Sequence, residues 1–221
     1  MLKKETLDFL KKLKENNNRE WFSKNKLLYE RARADFENLI KQLIPAIASF
    51  DPQIGMPDPK KCLFRIYRDV RFSPDKSPYK THMAAIIHQQ NLDRSSGYYL
   101  HIGADESFAC SGHYMLMPDQ LKKMRQGIAG DFEFFEGIIN ETRFKTEFGD
   151  LFRDEDILKR VPNAFAKDHP AAEYLKLKRF YVEKSLSEDT LISDGLVPRL
   201  KNIYKLSYPL NEFLNDVLLD D

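Results

Sequence analysis

The residues best suited to chemistry are concentrated in one basic stretch, residues 60–82. Between Lys60 and Lys80 stand seven bases and two acids, which give a local net charge of +5. The bases are Lys60, Lys61, Arg65, Arg68, Arg71, Lys76 and Lys80, and the acids are Asp69 and Asp75. A guanidinium offers a planar pair of donors that matches a phosphate, sulfate or carboxylate. Because the acids can neutralise only some of the bases, the surplus charge predicts an anion site.

The order of residues within this stretch indicates how such a site would be built. Apolar and polar residues alternate over 62–72, which predicts a strand with Arg65 and Arg71 on the same face. Two successive proline turns then place Lys76 and Lys80 at equivalent positions. The residues expected to bind the anion are Arg65, Arg71, Lys76, Tyr79 and Lys80. The residues expected to support them structurally are Arg68, Asp69 and Asp75.

The same charges allow two other interpretations. In the first, they form a structural network that holds this stretch against acids of a long helix, such as Glu30 and Glu37. In the second, the repeated S-P-x-K turns contact nucleic acid or an acidic protein, and Tyr67, Phe72 and Tyr79 stack on bases. The formal net charge of the whole chain is only +1, which disfavours nucleic acid because binding it needs a wide basic face.

Other kinds of site leave little trace in the sequence. His82 is the candidate for proton transfer, since histidine is the side chain that titrates near neutral pH without perturbation. The histidines lack metal-ligand spacing, and Cys62 and Cys110 lack C-x-x-C spacing, so we expect no metal site and two buried free thiols. No P-loop, nucleophile elbow or glycine-rich dinucleotide motif is present, so no cofactor is predicted. The sequence does not indicate a reaction.

The whole-chain composition is that of a globular protein. The 221 residues are 42% hydrophobic, which is enough to bury a core. No apolar run approaches the roughly 18 residues that would span a bilayer, and the N-terminal segment lacks the apolar region of a secretory signal. We therefore expect a cytoplasmic protein with no membrane partner.

The periodicity of the chain predicts an α+β fold in a single domain, residues 1–221. Residues 1–59 read as a helical part with one long amphipathic helix over 18–50, and residues 118–221 as a helical part with an added strand. Between them, residues 60–117 read as the sheet core. The predicted strands are 62–72, 83–89, 97–103, 108–114 and 179–185. Short connections favour a mainly antiparallel sheet of about four to six strands, packed against the long helix and the C-terminal helices.

Three segments resemble one protein family. R-I-Y-R-D-V-R-F-S-P-D-K-S-P-Y-K, from Arg65 to Lys80, resembles the signature of a broad bacterial and fungal family of uncharacterised proteins, domain of unknown function 2461 (DUF2461). The N-terminal part resembles the family at Phe9, Leu10, Leu13, Asn16, Asn17, Arg19, Trp21 and Phe22. A third likeness involves Pro162, Phe165, His169 and Pro170. The resemblance implies a single α+β domain over the full chain, and it implies no reaction.

Overall fold

The fold combines ten α-helices with four strands in the part of the chain that the structure describes. It is a computed structural model, and it describes residues 1–89 and 96–219. The helices are α1 Lys4–Glu15, α2 Arg19–Lys24, α3 Lys26–Ala48, α4 Pro59–Cys62, α5 Pro118–Gly130, α6 Phe132–Asn140, α7 Thr142–Phe148, α8 Ala172–Leu175, α9 Glu188–Ile192 and α10 Leu196–Leu219. The strands are β1 His82–His88, β2 Gly97–Gly103, β3 Ser107–His113 and β4 Phe180–Ser185. This confirms the predicted α+β class.

The four strands form one antiparallel sheet in the order β1-β2-β3-β4. Strand β2 has the predicted bounds, and the other three begin or end within one residue of theirs. The alternation of side chains explains this agreement, because every second residue must be buried on one face. Along β2, Leu100 and Ile102 are buried, whereas Tyr99 and His101, which alternate with them, are only partly buried.

The strand predicted over residues 62–72 is wrong. Helix α4 ends at Cys62, and only two isolated antiparallel bridges follow, Leu63 with Ala85 and Tyr67 with Tyr79. Aspartate side chains explain the loss of regular pairing, because they bind backbone N–H groups that a strand would use. Asp69 accepts from the Arg71 N–H at 3.2 Å. Arg65 and Arg71 therefore do not share a strand face, and Phe72, expected on the apolar face, is 94% exposed.

The helix predicted over residues 18–50 is interrupted at Asn25, which ends α2 and precedes α3. Asn18 caps α2 by accepting the Trp21 N–H at 2.9 Å. The Asn25 side chain donates to the Trp21 carbonyl at 2.8 Å, and the Asn25 backbone N–H donates to the same carbonyl at 3.0 Å, so Asn25 closes the last turn of α2. Pro45 lies inside α3, which continues to Ala48.

The chain divides into two compact units. Unit 1 comprises Met1–Ile87, Tyr99–Ala109 and Ser185–Asn202, and unit 2 comprises His88–Tyr98, Cys110–Lys184 and Ile203–Asp221. In unit 1, α1 packs on the buried stripe of α3. The core of unit 2 is formed by buried side chains of Met124, Ile128, Phe135, Ile139, Phe144, Leu151, Ala171, Leu175, Leu177, Phe180, Val182, Leu210, Phe213 and Leu214. That the chain acts as a single domain stays a prediction.

Over residues 1–89 and 96–219, no helix is both long and apolar enough to cross a membrane.

Candidate functional site

Arg71 is engaged by its own neighbour, Asp69. Its guanidinium donates from Nε to Oδ1 at 3.0 Å and from Nη2 to Oδ2 at 2.6 Å. Hydrogen bonds from the Arg71 side chain and backbone lower the pKa of the Asp69 carboxyl, so that group is charged at neutral pH. This two-pronged pair occupies the donors that an anion would need, although both side chains are largely exposed.

Arg68 and Lys76 are also satisfied by the protein. Arg68 pairs with Asp75 and reaches the carbonyl of Ser77 and the hydroxyl of Ser73, both at 3.3 Å. Hydrogen bonds from Ser77, and then from Arg68, lower the pKa of Asp75 to about 2. The Lys76 ammonium donates to a backbone carbonyl, that of Val70, at 3.0 Å. Arg68 and Asp75 are thus engaged within their own segment, and their supporting role toward a site stays a prediction.

Tyr79 lies in the core and does not line a surface site. It is 5% exposed, and its ring stacks on Phe22 with centroids 3.9 Å apart and planes inclined by 13°. In the antiparallel bridge between Tyr67 and Tyr79, the hydrogen bonds are made by the residues on either side of the two tyrosines. The N–H and C=O of Tyr79 itself therefore point away from Tyr67. The Asn17 side chain meets both groups, donating to the carbonyl at 2.9 Å and accepting from the N–H at 3.1 Å.

Among the predicted cations, Arg65 and Lys80 form no ion pair and no side-chain hydrogen bond within the described residues, and the Asp69 carboxylate acts on Arg65 only from a longer distance. Burial, and then repulsion from Arg65, lowers the pKa of Lys80. The Lys80 Nζ lies 5.3 Å above the ring of Phe64. Arg33, which the sequence did not single out, lines a small cleft with Phe64 and His82. Arg65 and Lys80, which repel each other electrostatically, are called the cation cluster below.

His82 borders the cation cluster and contacts a second histidine, His101, and the sequence did not predict this contact. Their ring centroids are 4.1 Å apart. Burial lowers the pKa of both to about 4, with a further contribution from Lys80 at His82 and from His82 at His101. The Tyr99 hydroxyl lies 3.1 Å from the His101 Nδ1. Both histidines are neutral at pH 7 and can accept a proton. The sequence feature that could have indicated His101 is its position in β2, where it shares a partly buried face with Tyr99.

Within the two described stretches of chain, no three or more histidine, cysteine, aspartate or glutamate side chains are grouped so that they could hold a metal ion. Both cysteines are free thiols, Cys62 buried and Cys110 partly buried. The expectation of two buried thiols is therefore met by Cys62 and not by Cys110.

The comparisons with known proteins return one family. A family model for conserved hypothetical proteins, DUF2461, matches residues 5–213. The chain belongs to the DUF2461 family. Neither the curated proteins nor the solved structures contain a match to it.

Two of the segments by which this DUF2461 chain resembles its family meet in unit 1. The N-terminal segment supplies Asn17 and Phe22, and the signature segment supplies Tyr79, which the Asn17 amide and the Phe22 ring hold in place. Their contact fixes the backbone immediately before Lys80, one of the two residues of the cation cluster. In the third segment, His169 accepts the Ala171 N–H at 3.0 Å through Nδ1 and thus shapes a turn of unit 2.

Replacing Asn17 by alanine should lower the free energy of unfolding by about 2 kcal/mol, because the half-buried N–H and C=O of Tyr79 lose their partners. Urea unfolding followed by circular dichroism measures this loss. Asn16→Ala is the matched control, since the Asn16 amide donates only to the Lys12 carbonyl on an exposed helix end, at 3.0 Å. Equal losses in the two variants would contradict a special role for Asn17.

Proposed function

We propose that this protein binds a small anion, a phosphate or a carboxylate, at the cation cluster of unit 1. The observation that carries the proposal is the contrast among the basic residues of the signature segment. Arg68, Arg71 and Lys76 donate to protein acceptors, whereas Arg65 and Lys80 form no side-chain hydrogen bond or ion pair among the described residues, and Asp69, already bound to Arg71, acts on Arg65 only at longer range. Arg65 and Lys80 repel each other, Asp69 offsets the charge of Arg65 only weakly, and an anion bound between the two cations would remove the remaining cost.

The lowered pKa of Lys80 supports the same proposal. Its first cause is burial and its second is the charge of Arg65, so the ammonium is partly desolvated and lies in a positive field. A bound anion would reverse the second effect and raise the pKa of Lys80. Arg33 lies nearby, at the small cleft that Phe64 and His82 line.

His82 gives the proposed site a group for proton transfer. Because burial and Lys80 hold its pKa at about 4, the imidazole is neutral at pH 7 and acts as a base. An anion that neutralises Lys80 would make His82 easier to protonate. If the protein is an enzyme, His82 would take a proton from the bound ligand. Binding of the anion alone does not require His82.

Calorimetric titration with inorganic phosphate at low salt tests the proposal. Arg65→Gln and Lys80→Gln should each weaken phosphate binding about tenfold or more, since a charged hydrogen bond contributes about 1.5–3 kcal/mol. Lys76→Gln removes the same charge from the same segment, but the Lys76 ammonium already donates to Val70, so binding should change less than about threefold. Absence of binding by the unaltered protein at millimolar phosphate would overturn the proposal.

One observation favours a second function, an interaction module that binds nucleic acid or an acidic protein through the basic segment. Phe72 is 94% exposed, and the Arg71 guanidinium lies 5.9 Å from its ring centroid. Tyr67, on the same segment, is 55% exposed. Filter binding of short duplexes at two salt concentrations tests the nucleic-acid form, because phosphate contacts weaken steeply as salt rises. No retention at low salt, or no loss between the two salts, would remove it.

A further inference from the structure

One face of the sheet carries partly exposed aromatic rings within unit 1. Tyr99 and His101 alternate along β2 with buried residues, and Phe108 lies on the neighbouring strand β3. The rings of His101 and Phe108 stack, with centroids 4.6 Å apart and planes inclined by 10°. The Tyr99 centroid lies 6.0 Å from that of Phe108. The rings thus form one continuous surface, which we call the aromatic face.

Phe64 joins the aromatic face to the cation cluster. Its ring is 48% exposed and meets Tyr99 edge-on at a centroid distance of 6.1 Å. The same ring lies 5.3 Å beneath the Lys80 Nζ. A ligand whose charged group binds Lys80 therefore lies next to the Phe64 ring and, beyond it, the aromatic face. A bare inorganic ion would leave that surface unused.

We propose that the anion held by Arg65 and Lys80 carries an aromatic ring, as in a phosphate monoester of a phenol, and that this ring packs on Phe64 and Tyr99. The inference rests on the proposed function and specifies its ligand. Aromatic rings pack favourably in offset or edge-on arrangements at centroid separations like those between Phe64, Tyr99 and Phe108.

The distribution of charge favours a phosphate ester over a carboxylate. Arg65 and Lys80 present two neighbouring positive charges, which suit a dianion better than a monoanion. The two histidines beside the rings carry no charge at neutral pH, because burial holds the pKa of each at about 4. The positive charge is thus confined to one end of the site, and the other end offers an uncharged surface to an uncharged ring.

Calorimetric titration of the full chain with four probes tests the inference: inorganic phosphate, phenyl phosphate, benzoate and benzyl alcohol. Phenyl phosphate should bind about tenfold more tightly than inorganic phosphate and more tightly than benzoate. Benzyl alcohol, which has the ring without the charge, should bind most weakly. Phe64→Leu should bring the ratio of the phenyl phosphate affinity to the inorganic phosphate affinity down to about one, and this ratio is the readout because Phe64 also contacts Lys80. Phe72→Leu makes the same change at the most exposed phenylalanine of the segment and should leave all four affinities unchanged.

The outcomes separate the inference from the proposed function. If inorganic phosphate binds but phenyl phosphate binds no more tightly, the anion site stands and the aromatic ligand is wrong. If benzoate binds more tightly than phenyl phosphate, the assignment to phosphate esters is wrong. If benzyl alcohol binds as tightly as phenyl phosphate, the charge is irrelevant, and if none of the probes binds, the proposed function itself falls and the inference with it.

Discussion

Replacing Gly112 by alanine should destabilise the protein by about 4 kcal/mol or more, the largest effect we expect from a single methyl group. Gly112 lies in β3 with a backbone φ of +131°, a conformation that side chains with a Cβ rarely adopt. A Cβ at this position would lie 2.2 Å from the Phe180 carbonyl oxygen and 2.6 Å from the Tyr181 Cα. Both contacts are with the backbone of β4, which cannot move aside as a flexible side chain could.

Gly137→Ala is the matched control for Gly112→Ala. Gly137 lies inside helix α6, and a Cβ there would meet no atom within 4 Å. Alanine favours a helix over glycine by up to about 1 kcal/mol, so this variant should be slightly more stable than the parent protein. Thermal and urea unfolding of both variants measure the difference. A fully stable Gly112→Ala protein would show that β3 and β4 do not approach as described.

Acidification from pH 7 to pH 4 should lower the free energy of unfolding by about 3 kcal/mol through His113 alone, and by about 2 kcal/mol at pH 5. His113 is 2% exposed, and burial lowers its pKa to about 4, against 6.5 for an unperturbed histidine. Between these two values the unfolded chain binds a proton that the folded chain does not. The stabilisation is therefore complete above pH 6.5 and is lost as the pH falls toward 4.

The pKa values of His82 and His101 are also lowered to about 4, so both histidines steepen the same pH dependence. Urea unfolding at intervals from pH 7 to pH 5 measures the slope before most carboxylates titrate. The slope should fall in His113→Gln and, separately, in His82→Gln, because each removes one group that takes up a proton on unfolding. A flat profile in the parent protein, or an unchanged slope in His113→Gln, would contradict the burial of His113 as a neutral base.

The sequence predicted the sheet well and the signature segment poorly, for related reasons. A strand with one buried face needs an apolar residue at every second position, and β2 meets this need within its own seven residues. The pattern can therefore be recognised from the local sequence. Residues 62–72 show a similar alternation, but Ser73–Lys80 returns alongside and its prolines offer no N–H to a ladder. The Asp69 and Asp75 carboxylates accept hydrogen bonds from nearby backbone N–H groups, and these bonds compete with strand pairing. The alternation of residues alone does not reveal how strong this competition is.

The candidate site was predicted in part. The sequence located its segment and named Arg65, Lys80 and His82, because surplus charge and a histidine are visible as residue types. It could not show that Arg71 and Lys76 are engaged within their own segment. Which charge pairs with which depends on backbone turns that bring the groups within hydrogen-bonding distance.

The sequence by itself determined the α+β class, the positions of four strands, the family and the segment of interest. Only the tertiary structure decided the membership of the site. In the folded chain, the ring centroids of His82 and His101 lie 4.1 Å apart, and the ring of Phe64 lies beneath the Lys80 ammonium. The Asn17 side chain binds the backbone of Tyr79, which is 62 residues away in the sequence. The physical reason is that periodicity and composition report what a residue needs from its surroundings, such as burial or a counterion. Which distant residue meets that need is fixed only when the chain folds back on itself.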